Sequence, residues 1–252
     1  MNLLAGFSDI SVWQIAAVGA VALLANFIGG IAGYGSGALL PLVLVPTIGA
    51  APVVPIIAIS ALFSNVSRVL AYRAHADWRR GLIAVAAATP TCILGAWGYT
   101  RLTGAGAAIV IGGMLMLSIP LRRLLKHRGL KFNDAGFALG SLGYGVLVGG
   151  TAGSGVVMLS LLMAAGLQGA AVIATDAIVS ILIGIVKVSV FGFNGVLTPQ
   201  VVAFALLIGL LAIPGPFLAR AFVARIPVHF HAVILDAVVL AGGLVLVIGA
   251  LR

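Results

Sequence analysis

Three charged side chains lie inside long apolar stretches of the sequence, and their positions point to the binding of an anion. Arg68 follows Ser60 and Ser64 at spacings of four, so the three share one face of a helix. Asp176 and Lys187 lie about 16 Å apart along the axis of a second helix. Because a charge inside a membrane is costly, such residues usually mark a substrate pathway or a proton relay.

These residues receive distinct predicted roles. We expect Ser64, Arg68, Thr175 and Lys187 to contact an anionic substrate, and Asp176 to be the group that couples transport to protons. Two alternatives stay open for the cations and the carboxylate. Arg68 and Lys187 lie near helix ends, where long side chains can extend to the membrane interface. Asp176 can pair with a base for structure alone.

Two glycine-rich motifs, residues 29–37 and 149–155, are the second candidate for chemistry. Non-helical backbone within a membrane is tolerated only where protein or a water-filled cavity surrounds it. Glycine permits the turns that such a break needs and a close approach of a ligand. The alternative is that these small residues only allow close helix packing.

A helix that begins at either motif predicts an anion site. Its free N–H groups and the positive end of its dipole point into the cavity. Ser36 and Ser154 are candidate caps or hydroxyl donors there. The predicted substrate-binding residues in the motifs are Gly33, Gly35, Ser36, Gly37, Gly153, Ser154 and Gly155.

The composition indicates that the protein containing these residues is a membrane protein. Of 252 residues, 62% are apolar and only 8% are charged, whereas a soluble domain carries about a quarter charged residues. The fold class predicted is an all-α polytopic membrane protein. The net charge of +9 resides in short breaks between apolar runs, so no nucleic acid partner is expected. Cys92 is the single cysteine, and neither a metal nor a cofactor is predicted.

Ten apolar segments can be read along the chain. Their approximate ranges are 10–30, 36–49, 53–73, 80–100, 104–121, 133–150, 154–167, 170–191, 198–221 and 229–251. The second and seventh segments are too short for a comfortable crossing, which predicts half-helices in broken or re-entrant hairpins. The count leaves eight or ten complete crossings open.

Basic residues predict the orientation in the cytoplasmic (inner) membrane, because the breaks richest in Lys and Arg face the cytoplasm. The number of segments between the three basic breaks then places both termini outside. The basic residues are Arg73, Arg79, Arg80, Arg122, Arg123, Lys126, Arg128, Lys131, Arg220 and Arg225.

The two halves of the chain repeat each other. Residues 29–33 match residues 149–153 at an offset of 120, and Pro90 matches Pro214 as an expected break in each fourth segment. We therefore predict an N-terminal repeat (1–125), a basic cytoplasmic linker (126–132) and a C-terminal repeat (133–252) of inverted orientation. Inverted repeats with broken helices are typical of alternating-access transporters.

The paired glycine motifs, the prolines and the basic central loop resemble those of the TauE/SafE family of sulfite exporters, also called TSUP. The resemblance covers nearly the whole chain. It implies transport of a small sulfur-containing anion such as sulfite, thiosulfate or sulfoacetate, coupled to an ion gradient. The expected partners are this anion and membrane lipid, with a monomer and a homodimer both open.

Two other functions remain possible at this stage. A passive anion channel shares the basic cavity but needs no alternating gates. An intramembrane serine hydrolase is suggested by residues 152–155, although its nucleophile needs a base within hydrogen-bond reach of Ser154. The four histidines all fall in or beside the predicted cytoplasmic breaks.

Overall fold

A computed structural model describes residues 6–7, 10–32, 35–127, 131–222 and 228–251. Within these ranges the regular structure is helical, as the long apolar runs require. The α-helices are α1 (Val12–Ala32), α2 (Ser36–Ile48), α3 (Val53–Tyr72), α4 (Trp78–Tyr99), α5 (Gly104–His127), α6 (Asp134–Gly150), α7 (Gly155–Ala164), α8 (Ala170–Phe193), α9 (Pro199–Ala212), α10 (Pro214–Phe222) and α11 (Val228–Leu251). A 3₁₀ turn, Arg73–His75, follows α3.

Most of these bounds agree with the predicted segments within three residues; α5 continues six residues past the predicted end at 121, and the ninth segment is divided. Segment 198–221 is two helices, because Pro214 offers no N–H to continue α9 and instead starts α10. Pro90 lies inside α4, which runs through it unbroken. The expected break at Pro90 is therefore wrong, and the prolines of the two halves act differently.

The surface of the bundle is suited to lipid. Six helices of the described chain are long and apolar enough to cross a membrane: Val12–Gly29, Val53–His75, Trp78–Tyr99, Gly104–Leu121, Ala170–Phe193 and Pro199–Ala219. Large apolar side chains cover the outside; Trp13 and Phe193, for example, are 84% and 91% exposed. The chain is an all-α, multi-pass membrane protein.

Most helix contacts have a counterpart when the two halves of the chain are exchanged. In this exchange α1 corresponds to α6, α2 to α7, α3 to α8, α4 to α9–α10, and α5 to α11. Helices α3 and α8 pack on each other, as do α5 and α11. Helix α4 packs on α6, just as α9 and α10 pack on α1. This packing is what a repeat of two five-segment halves would produce, and the inverted repeat stays a prediction.

Aromatic contacts define one end of the bundle. The Tyr99 hydroxyl donates to the carbonyls of Ala50 at 2.9 Å and Ala51 at 3.2 Å. The Tyr99 ring packs edge-on against Phe191, with centroids 6.0 Å apart. The turns that follow α2, α4 and α8 therefore lie at the same end.

Polar contacts define the opposite end. Arg79 pairs with Asp134 at 2.5 Å, which joins the start of α4 to the start of α6. The Phe132 N–H donates to the Ala164 carbonyl at 2.8 Å, so α7 ends there as well. The first two basic breaks thus lie on one side, as the orientation argument expected. Of the basic residues of the second and third breaks, Arg128 and Arg225 lie outside the described residues.

The two short helices run in opposite directions from the middle of the bundle. Helix α2 runs from the centre to the Tyr99 end, and α7 runs from the centre to the Arg79 end. Their lengths of 13 and 10 residues correspond to about 20 Å and about 15 Å. Neither spans a membrane alone, which favours re-entrant hairpins over complete crossings by these pairs.

The Gly-Gly pairs of both motifs lie within helices rather than in the break in the chain. Gly149 and Gly150 form the last turn of α6, and Gly29 and Gly30 lie in α1. A Cβ added to Gly149 would lie 2.3 Å from the Cys92 carbonyl oxygen, because α6 crosses α4 at that point. For Gly149 the helix-packing alternative is therefore the correct one, and the non-helical stretch is confined to residues 151–154.

Candidate functional site

A cavity of about 120 Å³ lies where α2 and α7 begin, between α3 and α8. It brings together residues that are far apart in sequence. Most of them were predicted to bind the anion, and Asp176 was predicted to couple transport to protons. The predicted residues that line it are Gly35, Ser36, Gly37, Ser64, Arg68, Gly153, Ser154, Gly155, Asp176 and Lys187.

The two glycine motifs meet at the cavity. A Cβ added to Gly37 would lie 2.8 Å from the backbone nitrogen of Gly153, so no side chain fits there. Gly153 has a φ of 84°, a left-handed conformation that favours glycine. Close approach at Gly37 and the turn at Gly153 explain why glycine occupies these positions.

Both half-helices present free N–H groups at the cavity. The first hydrogen bonds of α2 run from Ala38 and Leu39 to the Gly35 carbonyl, and α7 starts with the bond from Val157 to Ser154. The amides just before these donors lack an acceptor within their helix. Partly positive donors from both halves therefore face one space.

The serines at these starts do not serve as caps. Residue 35, not Ser36, is the N-cap of α2, so the predicted cap at Ser36 is wrong. Ser154 is the N-cap of α7, but its side chain makes no capping hydrogen bond. Both serines nevertheless line the cavity.

An ion pair crosses the cavity between the two halves of the chain. Arg68 Nη1 of α3 donates to Asp176 Oδ2 of α8 at 3.1 Å, and Arg68 Nη2 donates to Asn65 Oδ1. Arg68 is 8% exposed and Asp176 1% exposed, so Arg68 does not extend to the membrane interface. Asp176 Oδ1 is buried and has no hydrogen-bond partner among the described residues.

Lys187 is held by the end of α6. Its ammonium group donates to the carbonyls of Val148 and Thr151, the latter at 3.0 Å. These carbonyls lie at the C-terminal, partly negative end of the helix, which favours a cation. Lys187 is 6% exposed, so the interfacial alternative is wrong for it too. Two of its three donors are used in this way, and the group still lines the cavity.

Three predicted residues behave differently from the rest. Thr175 lies outside the cavity; its hydroxyl oxygen accepts a hydrogen bond from the Asp77 N–H at 2.9 Å and so joins α8 to the start of α4. We withdraw it as a substrate ligand. Ser64 lines the cavity but donates its own hydroxyl to the Ala61 carbonyl at 3.1 Å. Gly33 lies outside the described residues.

Several polar residues that line the cavity were not among the predicted site residues. Asn65 accepts from Arg68, Ser180 lies one turn beyond Asp176, and Tyr144 and Thr151 contribute from α6 and the second motif. The spacing of four between Asp176 and Ser180 was a usable signal. Tyr144 had none, because an apolar helix with a tyrosine looks the same whether that ring faces a cavity or lipid.

Comparison with known families decides the identity. The model of the family described as "Sulfite exporter TauE/SafE" matches residues 18–246. The chain belongs to the TauE/SafE family. That match covers both hairpins, the cavity and all charged residues around it, and it confirms the resemblance drawn from the glycine motifs. Comparisons with curated proteins and with solved structures found no match.

Membership in a family of sulfite exporters gives the general function of this TauE/SafE protein. It is a membrane transporter of the sulfur-anion exporter type, and its partners are an anionic substrate and lipid. The central cavity, with donors from two half-helices and two cations, is its candidate substrate site.

Proposed function

We propose that this protein is a secondary transporter that moves a small sulfur-containing anion, such as sulfite, thiosulfate or an organosulfonate, by alternating access. The observation that carries the proposal is the convergence of two opposed half-helix starts with Arg68 and Lys187 on one buried cavity. Anion sites at helix N-termini use the same N–H donors and dipole. A site near the midplane between inverted repeats suits access from alternate sides.

The predicted ligands divide by chemistry. Backbone N–H groups at residues 36–37 and 155 and the hydroxyls of Ser36 and Ser154 donate to the oxygens of the anion. Lys187 supplies charge from one half of the chain, and Arg68 supplies it from the other. Each cation is also anchored to its surroundings, Arg68 by Asp176 and Lys187 by the end of α6. The anion therefore binds to preorganised groups and pays little ordering cost.

Asp176 is the proposed coupling residue. Its carboxylate is buried, bonded to Arg68 through one oxygen, and directed at the cavity that holds the anion. A proton on Asp176 weakens its hold on Arg68 and strengthens the pull of Arg68 on an anion. Binding of a proton and binding of the anion then favour each other, as symport requires.

For orientation we propose that the basic breaks face the cytoplasm and both termini face outward. The Arg79–Asp134 pair supports this, because it brings the first two basic breaks to one side. A membrane-impermeant thiol reagent tests it. Cysteines placed at Ala74 and Ala51, on opposite ends of the bundle, should react from opposite sides of inverted and right-side-out vesicles.

Two other functions are less well supported. A passive channel needs an open path, whereas the cavity is small and lined by groups that hold each other in place. Counterflow of labelled anion in vesicles separates a carrier from a channel. The hydrolase hypothesis needs a base at Ser154, and no histidine is among the described residues that line the cavity.

Transport by purified protein in proteoliposomes tests the proposal. We expect uptake of labelled sulfite, thiosulfate or sulfoacetate that exceeds uptake by protein-free vesicles and increases when a pH gradient is imposed. Lys187→Met, which removes a cavity charge, should lower affinity for the anion by about tenfold or more. Gly98→Ala is the matched control, since a Cβ there meets no atom within 4 Å.

Three results contradict parts of the proposal. Absence of uptake for every sulfur anion excludes the function itself. Unchanged affinity in Lys187→Met removes that residue from the site. Persistence of the pH-gradient effect in Asp176→Asn excludes Asp176 as the coupling group.

A further inference from the structure

We propose that the cavity accepts one net negative charge, so that the cargo is a monovalent sulfur oxyanion such as hydrogen sulfite or an organosulfonate. Asp176 then determines the charge of the substrate as well as orienting Arg68. The inference rests on the proposed function and narrows the class of anion within it.

The charged groups that line the cavity set this limit. Among the described residues that line it, the charged ones are Arg68 of α3 and Asp176 and Lys187 of α8. The remaining titratable group on its wall is the phenol of Tyr144 from α6, while α2 and α7 contribute uncharged residues. With Asp176 ionised, as in its pair with Arg68, two cations and one carboxylate give the cavity one net positive charge before an anion binds. A proton transferred to Asp176 counts with the anion, so the anion and any coupled proton together bring one net negative charge.

Helix dipoles change the net charge of the cavity only a little. The starts of α2 and α7 bring partly positive ends to the cavity. The end of α6 brings a partly negative one, through the carbonyls that hold Lys187. Each helix end carries only about half a unit charge and the opposite ends partly cancel, so the full charges of the side chains set most of the net charge.

The charge of the bound anion has a large energetic consequence. A monovalent anion neutralises the cavity, whereas a divalent one leaves an uncompensated negative charge in a buried site. The volume of about 120 Å³ exceeds the roughly 10–15 Å³ needed for one water, which gives room for a small oxyanion with a few waters.

The unpartnered oxygen of Asp176 favours the same class of ligand. Asp176 Oδ1 is buried and makes no hydrogen bond within the described part of the protein. A carboxylate oxygen can only accept a hydrogen bond. It therefore repels a fully deprotonated oxyanion and favours a ligand that carries an N–H or O–H donor. Hydrogen sulfite has an acidic proton, and an amino- or hydroxysulfonate has an N–H or O–H for this position.

Binding of two probes of fixed charge tests the inference. Methanesulfonate is a monovalent anion and thiosulfate a divalent one throughout the neutral range. Their affinities for the full-length protein in lipid nanodiscs are measured by calorimetry at one pH and one ionic strength. We expect wild-type protein to bind methanesulfonate more tightly. In Asp176→Asn the affinity ratio should shift toward thiosulfate by about tenfold or more.

A double variant separates net charge from local damage. Arg68→Gln combined with Asp176→Asn removes the ion pair as a unit and restores the net charge of one, so the affinity ratio should return toward the wild-type value. If Asp176→Asn is not recovered folded, Ala61→Lys adds a charge on the cavity wall without breaking the pair. It should shift the ratio in the same direction as Asp176→Asn.

Each outcome bears on the inference. Tighter binding of thiosulfate by wild-type protein overturns it, as does a ratio that stays constant when the net charge is raised. In both cases anion binding persists and the proposed function stands. If wild-type protein binds neither probe, the anion site itself is wrong and the inference fails with it.

Discussion

The third helices of the two halves, α3 and α8, line opposite walls of one cavity with different chemistry. At an offset of 119, four of the six cavity-lining residues of α3 correspond to the four cavity-lining residues of α8. The pairs are Ile57 with Asp176, Ala61 with Ser180, Asn65 with Gly184, and Arg68 with Lys187. Each helix supplies a cation at the same position, but the carboxylate comes from α8 alone.

The two halves are therefore alike where the backbone must pack closely, and they differ at the position where the cavity needs a single carboxylate. A second carboxylate at Ile57 would make the cavity neutral and remove its attraction for an anion. Without the carboxylate of Asp176, two buried cations would face each other across the cavity. The asymmetry of the side chains is therefore what makes a symmetric scaffold suitable for one small anion.

The glycine motifs are where the two halves are most alike, and breaking them should have the largest effect. Gly37→Ala meets the backbone of Gly153, and Gly153→Ala forces a side chain into a left-handed conformation that costs about 1–2 kcal/mol. We expect either change to slow transport in proteoliposomes by about tenfold or more, since a misplaced site raises the barrier.

The matched control for this pair is Gly98→Ala, which adds a methyl group into open space. Size-exclusion profiles in detergent report whether each variant is folded. Normal transport by folded Gly37→Ala or Gly153→Ala would show that the meeting of the two motifs is not needed for function.

The two cations should differ in what their loss does to stability. Arg68→Met leaves the buried Asp176 carboxylate without its cation, which costs about 3–5 kcal/mol. Lys187→Met leaves only two carbonyls without a donor, at about 1–3 kcal/mol. Thermal unfolding in nanodiscs should therefore rank Arg68→Met as the less stable protein.

A second substitution sharpens this ranking. Asp176→Leu in the Arg68→Met background removes the unpaired charge, so it should restore much of the lost stability without restoring transport. If Lys187→Met is the less stable single variant, or if the second change fails to rescue the first, the ion pair does not contribute as described.

The helices could be predicted closely from the sequence, because nearly every apolar run of this chain is buried by protein or lipid. The predicted segment 104–121 and the helix that occupies it, for example, share their first residue. The effect of each proline on its helix was harder to predict. Pro90 is accommodated within α4, where Thr89 donates its hydroxyl to the Val85 carbonyl in the same turn, whereas Pro214 begins a new helix. Sequence alone does not show which neighbours compensate for a missing N–H.

Many of the residues that line the candidate site were predicted from the sequence, but the hydrogen bonds between them were not. Glycine spacing and isolated charges indicated the motifs, Arg68, Asp176 and Lys187. The pairing of Arg68 with Asp176 joins residues 108 apart and depends on how α3 packs on α8, which no local pattern encodes. The same holds for Thr175, whose polar hydroxyl looked like a ligand and instead joins α8 to the turn before α4.

The smallest predicted effect compares the N-caps of the fourth helices of the two halves. Asp77 accepts from the Arg80 N–H at 3.0 Å at the start of α4, and Thr198 accepts from the Val201 N–H at 3.3 Å at the start of α9. Of these two N-cap side chains, only that of Asp77 carries an ionisable group. The hydrogen bond from the Arg80 N–H, with further help from the Arg80 side chain, lowers the pKa of Asp77 below its usual 3.8.

Because the pKa of Asp77 is lower in the folded protein, its cap contributes full stability above pH 3.8 and loses it as the pH falls through the lowered value. Asp77→Asn keeps an acceptor but no titration, so its unfolding temperature should fall less between neutral and acid pH than that of wild-type protein. The difference should stay under about 1 kcal/mol, since the group is partly exposed. Identical pH profiles would show that the Asp77 charge adds nothing to the cap, and that the two halves start their fourth helices with equivalent strength.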